Sequence, residues 1–283
     1  MKKQLLIATV MVLSSGLTFV ASALTAGAPQ CVARSAEGLM APVWSPDGSQ
    51  IAAAGPNYTG IYVFNADGTE GTKLTDALGA GYKMAWNAEG SEIIGRTNVH
   101  DGTRVLHDTK AWNVKTGDVR TIETRKRTNA NPLTSGTKVA LLSQMTENAA
   151  EVAASVPALA QYAGNTVINP ALSPDGSMIA FQIVANGMFV INADGTNLRS
   201  LGKGSNPAWM PDNNTIVYTV VTDNGNEYTG STIMALTLND GARQVLMDND
   251  SYIPVRPTIT KDGSRLAFEN ITDQSIYVIT LQK

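Results

Sequence analysis

The chain is poor in the residues that most often carry chemistry. Its 283 residues include one cysteine, Cys31, and two histidines, His100 and His107. A single cysteine excludes an internal disulfide and any zinc or iron–sulfur site built from several cysteines. Two histidines on one short stretch leave little material for histidine-based catalysis. We therefore predict that the protein is not an enzyme.

Charge and hydropathy exclude two further classes of protein. Lys and Arg total 21 and Asp and Glu total 24, which gives a formal net charge of −3; 43% of residues are hydrophobic and 16% are charged. This apolar content is typical of a globular chain and not of a disordered one. The chain also lacks the excess of basic residues by which proteins bind phosphate backbones. No nucleic-acid partner is expected.

Motifs for cofactors are missing or incomplete. Gly79-Ala80-Gly81 has neither the continuation of a dinucleotide-binding loop nor the Lys-Ser/Thr of a P-loop. No Gly-x-Ser-x-Gly nucleophile elbow occurs. The His and Asp residues from His100 to Asp108 would bind a metal only if their connection folded back on itself, and solvated loop residues are the preferred interpretation. We expect no cofactor and no metal.

Long apolar runs are confined to the N-terminus. Two lysines precede an uncharged run from Leu5 to Val20 and a small-residue triplet that ends at Ala23. This pattern predicts a secretory signal peptide over residues 1–23, with cleavage after Ala23 and Ala28 as the second choice. The alternatives are an uncleaved anchor and lipid attachment at Cys31. The protein is expected to be periplasmic or secreted, without a stable membrane span after cleavage.

A repeat organises the rest of the chain. The segment from Ala41 to Ala52 returns from Asn169 to Ala180 with the same Ser-Pro-Asp-Gly-Ser turn. Weaker copies surround four further turns. The six turns follow one another at intervals of 37 to 50 residues and centre on Gly48, Gly90, Gly136, Gly176, Asn213 and Gly263. Repeats of about forty residues with several short strands are typical of propeller blades. We predict an all-β, six-bladed β-propeller over residues 24–283.

Each repeat unit predicts four antiparallel strands. Turns of the Pro-Asp-Gly and Asn-Ala-Asp-Gly type separate β-branched and aromatic segments and form tight hairpins. The last unit ends after its third strand, so Gln30–Arg34 is expected to supply the fourth and close the ring. The Ala-rich segment 148–164 departs from the pattern, as a short helical insertion or an altered outer half of its blade. The predicted blades span residues 41–77, 78–124, 125–164, 165–203, 204–250, and 251–283 together with 29–35.

The segment from Pro42 to Thr75 carries three motifs in order: Pro-x-Trp-Ser-Pro-Asp-Gly-Ser, Ile-Tyr-Val-x-Asn-Ala-Asp-Gly and Lys-Leu-Thr. This repeat resembles that of the TolB-like, WD-type β-propeller family, over the propeller portion only. The resemblance implies a periplasmic propeller that binds another envelope or periplasmic protein over its central opening. The α/β domain that precedes the propeller in TolB-type proteins is not expected, because the repeats follow the predicted signal almost directly.

Loop lengths predict which face binds. Connections between strands one and two, and between three and four, are uniformly tight, whereas the opposite face includes the long segments 95–110 and 222–230. Variable loops on a rigid scaffold are typical of binding surfaces, and Tyr and Arg often anchor interfaces. Residues just before the first strands should enter the channel on this face, where they either bind a partner or merely fill the mouth. The predicted partner-binding residues are Tyr82, Lys83, Arg127, Asn169, Asn206, Tyr252 and Arg256.

The leading hypothesis is an exported, non-enzymatic protein-binding module, monomeric because a closed ring has no open sheet edge. The alternative is a small-ligand or carbohydrate-binding propeller, or an enzyme with its site in the channel. Trp44, Trp86 and Trp209 suggest sugar stacking. They share one repeat position, however, so packing between blades is the preferred interpretation.

Overall fold

A computed structural model describes residues 23–126 and 139–282. The predicted signal peptide lies outside these ranges except for Ala23, and so do Arg127 and the turn at Gly136. No helix within the two ranges is long and apolar enough to cross a membrane. The described chain consists mainly of strands, arranged as five antiparallel sheets in a ring.

Each sheet is one blade, and with the blades numbered as below the first strands contact one another between blades 3 and 4, 4 and 5, 5 and 1, and 1 and 2. Blade 1 comprises Met40–Trp44, Gln50–Ala54, Ile61–Asn65 and Gly71–Thr75. Blade 2 comprises Ala85–Trp86, Glu92–Asp101, Arg104–Asn113 and Val119–Lys126. Blade 3 comprises Val167–Leu172, Met178–Ile183, Gly187–Asn192 and Arg199–Gly202. Blade 4 comprises Ser205–Trp209, Thr215–Asp223, Tyr228–Thr237 and Arg243–Met247.

Blade 5 is assembled from both ends of the described chain. Pro254–Ile259, Arg265–Asn270 and Ser275–Gln282 form its first three strands, and Gln30–Ala33 pairs with the last of them as the fourth. This closing strand was predicted from the sequence. A second short strand, Thr25–Ala26, was not predicted and pairs with the end of the same last strand. The final sheet therefore has no unpaired outer edge along most of its length.

The described residues form a ring of five blades, so the prediction of six was wrong. The described part of the predicted third unit forms two α-helices, Ala140–Glu147 and Val152–Ser155, and the 3-10 helix Pro157–Tyr162. These segments are rich in Ala, Leu, Gln and Met, which favour helix, and poor in the β-branched residues that favour strands. Buried apolar side chains of these helices join the core of blade 3. The segment covers a blade instead of forming one.

Tryptophan side chains connect neighbouring blades. In three of the four tryptophans the indole Nε1 donates a hydrogen bond to a first-strand carbonyl of the preceding blade: Trp86 to Val43 at 3.1 Å, Trp209 to Ala171 at 2.9 Å and Trp44 to Thr258 at 3.2 Å. The three acceptors occupy equivalent repeat positions. The bond from Trp44 joins blade 1 to blade 5 and closes the ring with the same contact that is used within it. All three indoles are at most 8% exposed, which agrees with packing and not with sugar stacking.

The hairpin turns are held by carboxylates. In blade 1, Asp47 Oδ1 accepts hydrogen bonds from Ser45 Oγ at 2.7 Å and from the Ser49 backbone N–H at 3.0 Å. The left-handed conformation that follows, φ +72° at Gly48, suits glycine. Asp262 makes the equivalent bonds in blade 5. These hydrogen bonds hold the pKa of both carboxyls at about 2, and the bond from the side-chain hydroxyl of Ser45 or Thr260 contributes most.

Replacing both carboxylates, Asp47→Asn with Asp262→Asn, should flatten the acid dependence of stability. The folded pKa of about 2 lies below the ordinary value of 3.8. The ionised turns therefore stabilise the fold above about pH 4, and this contribution disappears as the pH falls toward 2. Urea titrations should show the stability difference between wild type and variant shrinking from pH 5 to pH 2. The change should be small, because both groups are exposed. A constant difference would contradict the assignment.

Candidate binding site at the channel mouth

Five residues with left-handed backbone conformations form a ring at the centre of the molecule. They occupy the same repeat position in the five blades and have φ between +51° and +53°: Ala41, Lys83, Asn169, Asn206 and Arg256. In four blades this position lies within an irregularity of the first strand, where strand pairing shifts register. A non-glycine residue in this region carries backbone strain, and such strain often occurs at functional sites. We call these residues the mouth ring.

A second layer lies directly beside the mouth ring, on the second strands. In blade 1, for example, Val43 of the first strand pairs with Ala52 of the second, and the member of the layer stands two residues further on, at Ala54. The members in blades 1 to 5 are Ala54, Arg96, Gln182, Thr219 and Glu269. Side chains of this layer bond to the mouth ring of the next blade. Glu269 Oε2 accepts a hydrogen bond from the Ala41 backbone N–H, and Gln182 Oε1 accepts one from that of Asn206, both at 3.0 Å. The two layers therefore connect the blades at the mouth.

The side of the mouth formed by blades 3 and 4 is neutral. Asn169 Nδ2 donates to Gln182 Oε1 at 2.7 Å and to Asn206 Oδ1 at 3.0 Å. Amide side chains both donate and accept hydrogen bonds, so this side can pair with backbone groups or hydroxyls of a ligand.

The side formed by blades 5 and 1 contains an ion pair. Arg256 NH1 lies 2.6 Å from Glu269 Oε2, and the Glu269 side chain is 10% exposed. Burial by itself lowers the pKa of Arg256, but the charge of Glu269 and hydrogen bonds to Glu269 and Tyr58 outweigh it, so the pKa is raised. The carboxylate of Glu269 is thus engaged by a cation and a backbone donor, and acts as a structural group.

Blade 2 contributes two cations stacked on one aromatic ring. Arg96 Cζ lies 4.0 Å and Lys83 Nζ 5.4 Å from the centroid of the Tyr82 ring, and Tyr58 meets that ring edge-on at 5.1 Å. Burial lowers the pKa of Lys83, and the charge of Arg96 lowers it further. Burial also lowers the pKa of Arg96, which Tyr82 partly offsets. We call Tyr58, Tyr82, Lys83 and Arg96 the cation–tyrosine cluster.

Comparison with known proteins finds only distant similarities. No family model matches the chain, and no curated protein matches it. TolB from Acinetobacter baumannii matches at 11% identity and a TM-score of 0.37, over 86% of this chain and 54% of TolB. The β-propeller domain of Cps50 (Swd1) from Myceliophteria thermophila matches at 8% identity and 0.49, over 87% of this chain and 98% of that domain. Oligogalacturonate lyase from Vibrio parahaemolyticus matches at 12% identity and 0.36, over 87% and 79%.

The chain is a β-propeller. It spans only about half of the TolB chain that it matches. The arrangement of its five sheets shows the propeller fold, and one fold supports many unrelated functions.

The propeller brings five of the seven predicted residues together at the mouth. Lys83, Asn169, Asn206 and Arg256 belong to the mouth ring, and Tyr82 lies beside Lys83. The sixth, Tyr252, packs edge-on against Phe268 and Tyr277, at 6.3 and 5.1 Å between ring centroids, within blade 5. The seventh, Arg127, lies outside the described residues.

Sequence reasoning missed the second layer and Tyr58. Arg96, Gln182 and Glu269 each stand six residues beyond the glycine of the hairpin turn in their blade. A polar residue at the same place in several repeats was the available signal. Tyr58 lies on a one-turn 3-10 helix, Pro56–Tyr58, and no repeat pattern marks it.

Two long hairpins extend from the face that carries the mouth. Strand pairing in blade 2 continues to Asp101 opposite Arg104, and in blade 4 to Asp223 opposite Tyr228. Segments 95–110 and 222–230 were expected to be loops, but they are mostly strand, because β-branched residues continue beyond the body of each blade. Val105 and Tyr228, near the two tips, are 48% and 47% exposed. The hairpins add apolar contact area beside the polar mouth.

Proposed function

We propose that the protein is an exported, periplasmic, monomeric and non-enzymatic module that binds another envelope or periplasmic protein over the channel mouth. The observation that carries this proposal is the mouth ring, five side chains on strained backbone, beside the hairpins of blades 2 and 4. The N-terminal signal pattern supports export.

The mouth is rigid for a physical reason. Its side chains bond to the neighbouring blade through Glu269, Gln182 and Asn169, so moving one would disturb two blades. A preorganised surface loses little conformational entropy on binding, which favours affinity.

A non-enzymatic role is supported by the state of the polar groups. Glu269 is already paired with Arg256, and the amides of Asn169 and Gln182 bond to each other. These groups are arranged to hold a surface in place.

A triple variant tests the proposal: Tyr82→Ala with Asn169→Ala and Asn206→Ala. Blade 1 has Ala41 at the mouth-ring position, with φ +52°, so alanine is compatible with this backbone. We expect capture of a cross-linked partner from the native envelope to fall at least tenfold, because contact area and amide hydrogen bonds are lost. The matched control changes three exposed turn residues of the opposite face: Glu89→Ala, Lys115→Ala and Lys261→Ala.

The control variant should capture the partner as the wild type does, and circular dichroism should show both variants folded. Cross-links mapped to the opposite face, or undiminished capture by the triple variant, would refute the proposed site. A rise in melting temperature with a small ligand or sugar, without any protein partner, would favour the alternative function, since ligand that binds only the folded state stabilises it.

A further inference from the structure

The cation–tyrosine cluster differs in charge from the rest of the mouth. Near blade 5, Arg256 is neutralised by Glu269 at 2.6 Å, and its pKa is raised. At blade 2 the pKa shifts have the opposite direction: burial, and then the charge of Arg96, lower the pKa of both Lys83 and His107. Lys83 and His107 therefore both lie in the positive potential of Arg96, on a protein whose net charge is −3. Opposite charge brought to this place would be stabilised.

Space for a ligand group adjoins the cluster. A cavity of about 380 Å³ is lined by Tyr58, Tyr82, Arg96 and Asn98, among others. Asn98 Oδ1 pairs with Nδ1 of His107 at 3.1 Å, which orients the amide in the cavity wall. The volume suits a short side chain and its neighbours.

A second cavity, which Tyr82 also lines, is unsuited to anions. It measures about 330 Å³ and is lined by Lys83 and by Glu147 and Glu151 of the helical segment. Two carboxylates there would repel an acidic group. The acidic groups therefore restrict an anion to the cavity that Arg96 lines. Lys83 adds its positive charge nearby, because Lys83 and Arg96 both lie close to the Tyr82 ring.

We propose, resting on the proposed function, that Arg96 and Lys83 form a carboxylate-binding subsite that takes an acidic side chain of the partner protein. Arg96 presents a planar guanidinium that suits two-point hydrogen bonding to a carboxylate, and Tyr82 holds this group in orientation by stacking. Lys83 adds a second charge from the mouth ring. A partner segment lying over the mouth would insert one Glu or Asp at blade 2 and pair its backbone with the amides of blades 3 and 4.

The test uses a defined probe, acetyl-tetraglutamate amide, and its tetraglutamine counterpart, titrated into the full chain and followed by amide chemical shifts. The glutamate peptide should bind at least tenfold more tightly than the glutamine peptide. Its affinity should fall as sodium chloride rises from about 20 to 300 mM, because the attraction is electrostatic. Shifts should centre on residues 78–99.

Variants separate charge from structure. Arg96→Gln should weaken binding of the glutamate peptide at least tenfold, and Lys83→Met about threefold or more. Arg96→Lys keeps the charge but loses the planar fork, so its affinity should fall between those of the wild type and Arg96→Gln. Lys261→Met, on the exposed opposite face, should bind as the wild type does. Should Arg96→Gln fail to fold, Lys83→Met and Arg96→Lys decide the question, because Lys83→Met leaves Arg96 in place and Arg96→Lys keeps a cation at that position.

Equal binding of the two peptides, shifts that centre elsewhere, or full affinity in Lys83→Met and Arg96→Gln would overturn the subsite. Binding of trigalacturonate without binding of the glutamate peptide would overturn the peptide source of the carboxylate. These outcomes are distinct from failure of the proposed function. If partner capture persists in Lys83→Met and no glutamate peptide binds, the subsite is refuted and the binding module stands.

Discussion

A chain that begins at Ser35 should melt about 10–20 °C below the chain that begins at Leu24. The closing strand Gln30–Ala33 places Val32 and Ala33, 7% and 3% exposed, in the core between blades 5 and 1. Leu24, 8% exposed, lies in the core shared by blades 4 and 5. Burial of a Val or Leu side chain contributes about 1.5–3 kcal/mol, so the segment contributes about 5 kcal/mol. For a domain of this size each kcal/mol corresponds to about 2–4 °C.

The deletion also exposes an edge. Ser275–Gln282 would lose its outer partner, and an open strand invites pairing with another chain, so the shortened protein should aggregate on heating. A synthetic peptide of residues 24–34, added in excess, should restore part of the melting temperature. Gln30→Ala, an exposed position on the same strand, serves as the control with little effect. Identical melting curves for the two chains would disprove the closing role.

Arg256→Ala should destabilise the protein by about 2–3 kcal/mol at pH 7. Removing one member of a buried ion pair leaves the other charge uncompensated, at a cost of about 3–5 kcal/mol. The Arg256 side chain is 37% exposed, so water reduces that cost. Glu269 would keep its bond to the Ala41 backbone N–H but lose its cation.

A second substitution checks the cause. Without Arg256, the carboxylate of Glu269, whose side chain is 10% exposed, has no cation beside it, and an uncompensated charge at a poorly solvated place is destabilising. Urea titrations at pH 7 should therefore show the deficit of Arg256→Ala. Adding Glu269→Gln should recover most of it, whereas an equal deficit in the double variant would show that the ion pair is not responsible.

This ion pair also affects how binding is tested. Replacing Arg256 would lower stability and binding together, and Tyr252 packs on Phe268 and Tyr277. Both residues were predicted from the sequence as partner-binding. Variants of Tyr82, Asn169 and Asn206 are the more informative ones, because their side chains meet the mouth without carrying a buried charge.

The number of blades shows where repeat spacing is ambiguous. Between Gly90 and Gly176 the chain has room for two blades, and the described residues form one before the helices Ala140–Glu147 and Val152–Ser155 begin. A turn-to-turn interval measures chain length and not strand pairing. Of the two structures predicted for the Ala-rich segment 148–164, a helical insertion or an altered outer half of a blade, the helical one is found.

The site shows a similar division. Lys83, Asn169, Asn206 and Arg256 were predicted because the residue before each first strand has a fixed place in the repeat. Glu269 and Gln182 were missed, because their partners, Ala41 and Asn206, belong to the next blade. Pairing between blades depends on how many blades complete the circle.

The sequence by itself determined the β-propeller class, the hairpin turns and the closing N-terminal strand, because these depend on local turn chemistry and on strand patterns that each repeat contains. The tertiary structure alone decided the five-bladed ring and the bonds between its blades, such as the hydrogen bond from the Ala41 backbone N–H to Glu269. Those features arise from contacts between residues far apart in the chain, and only closure of the ring brings such residues together.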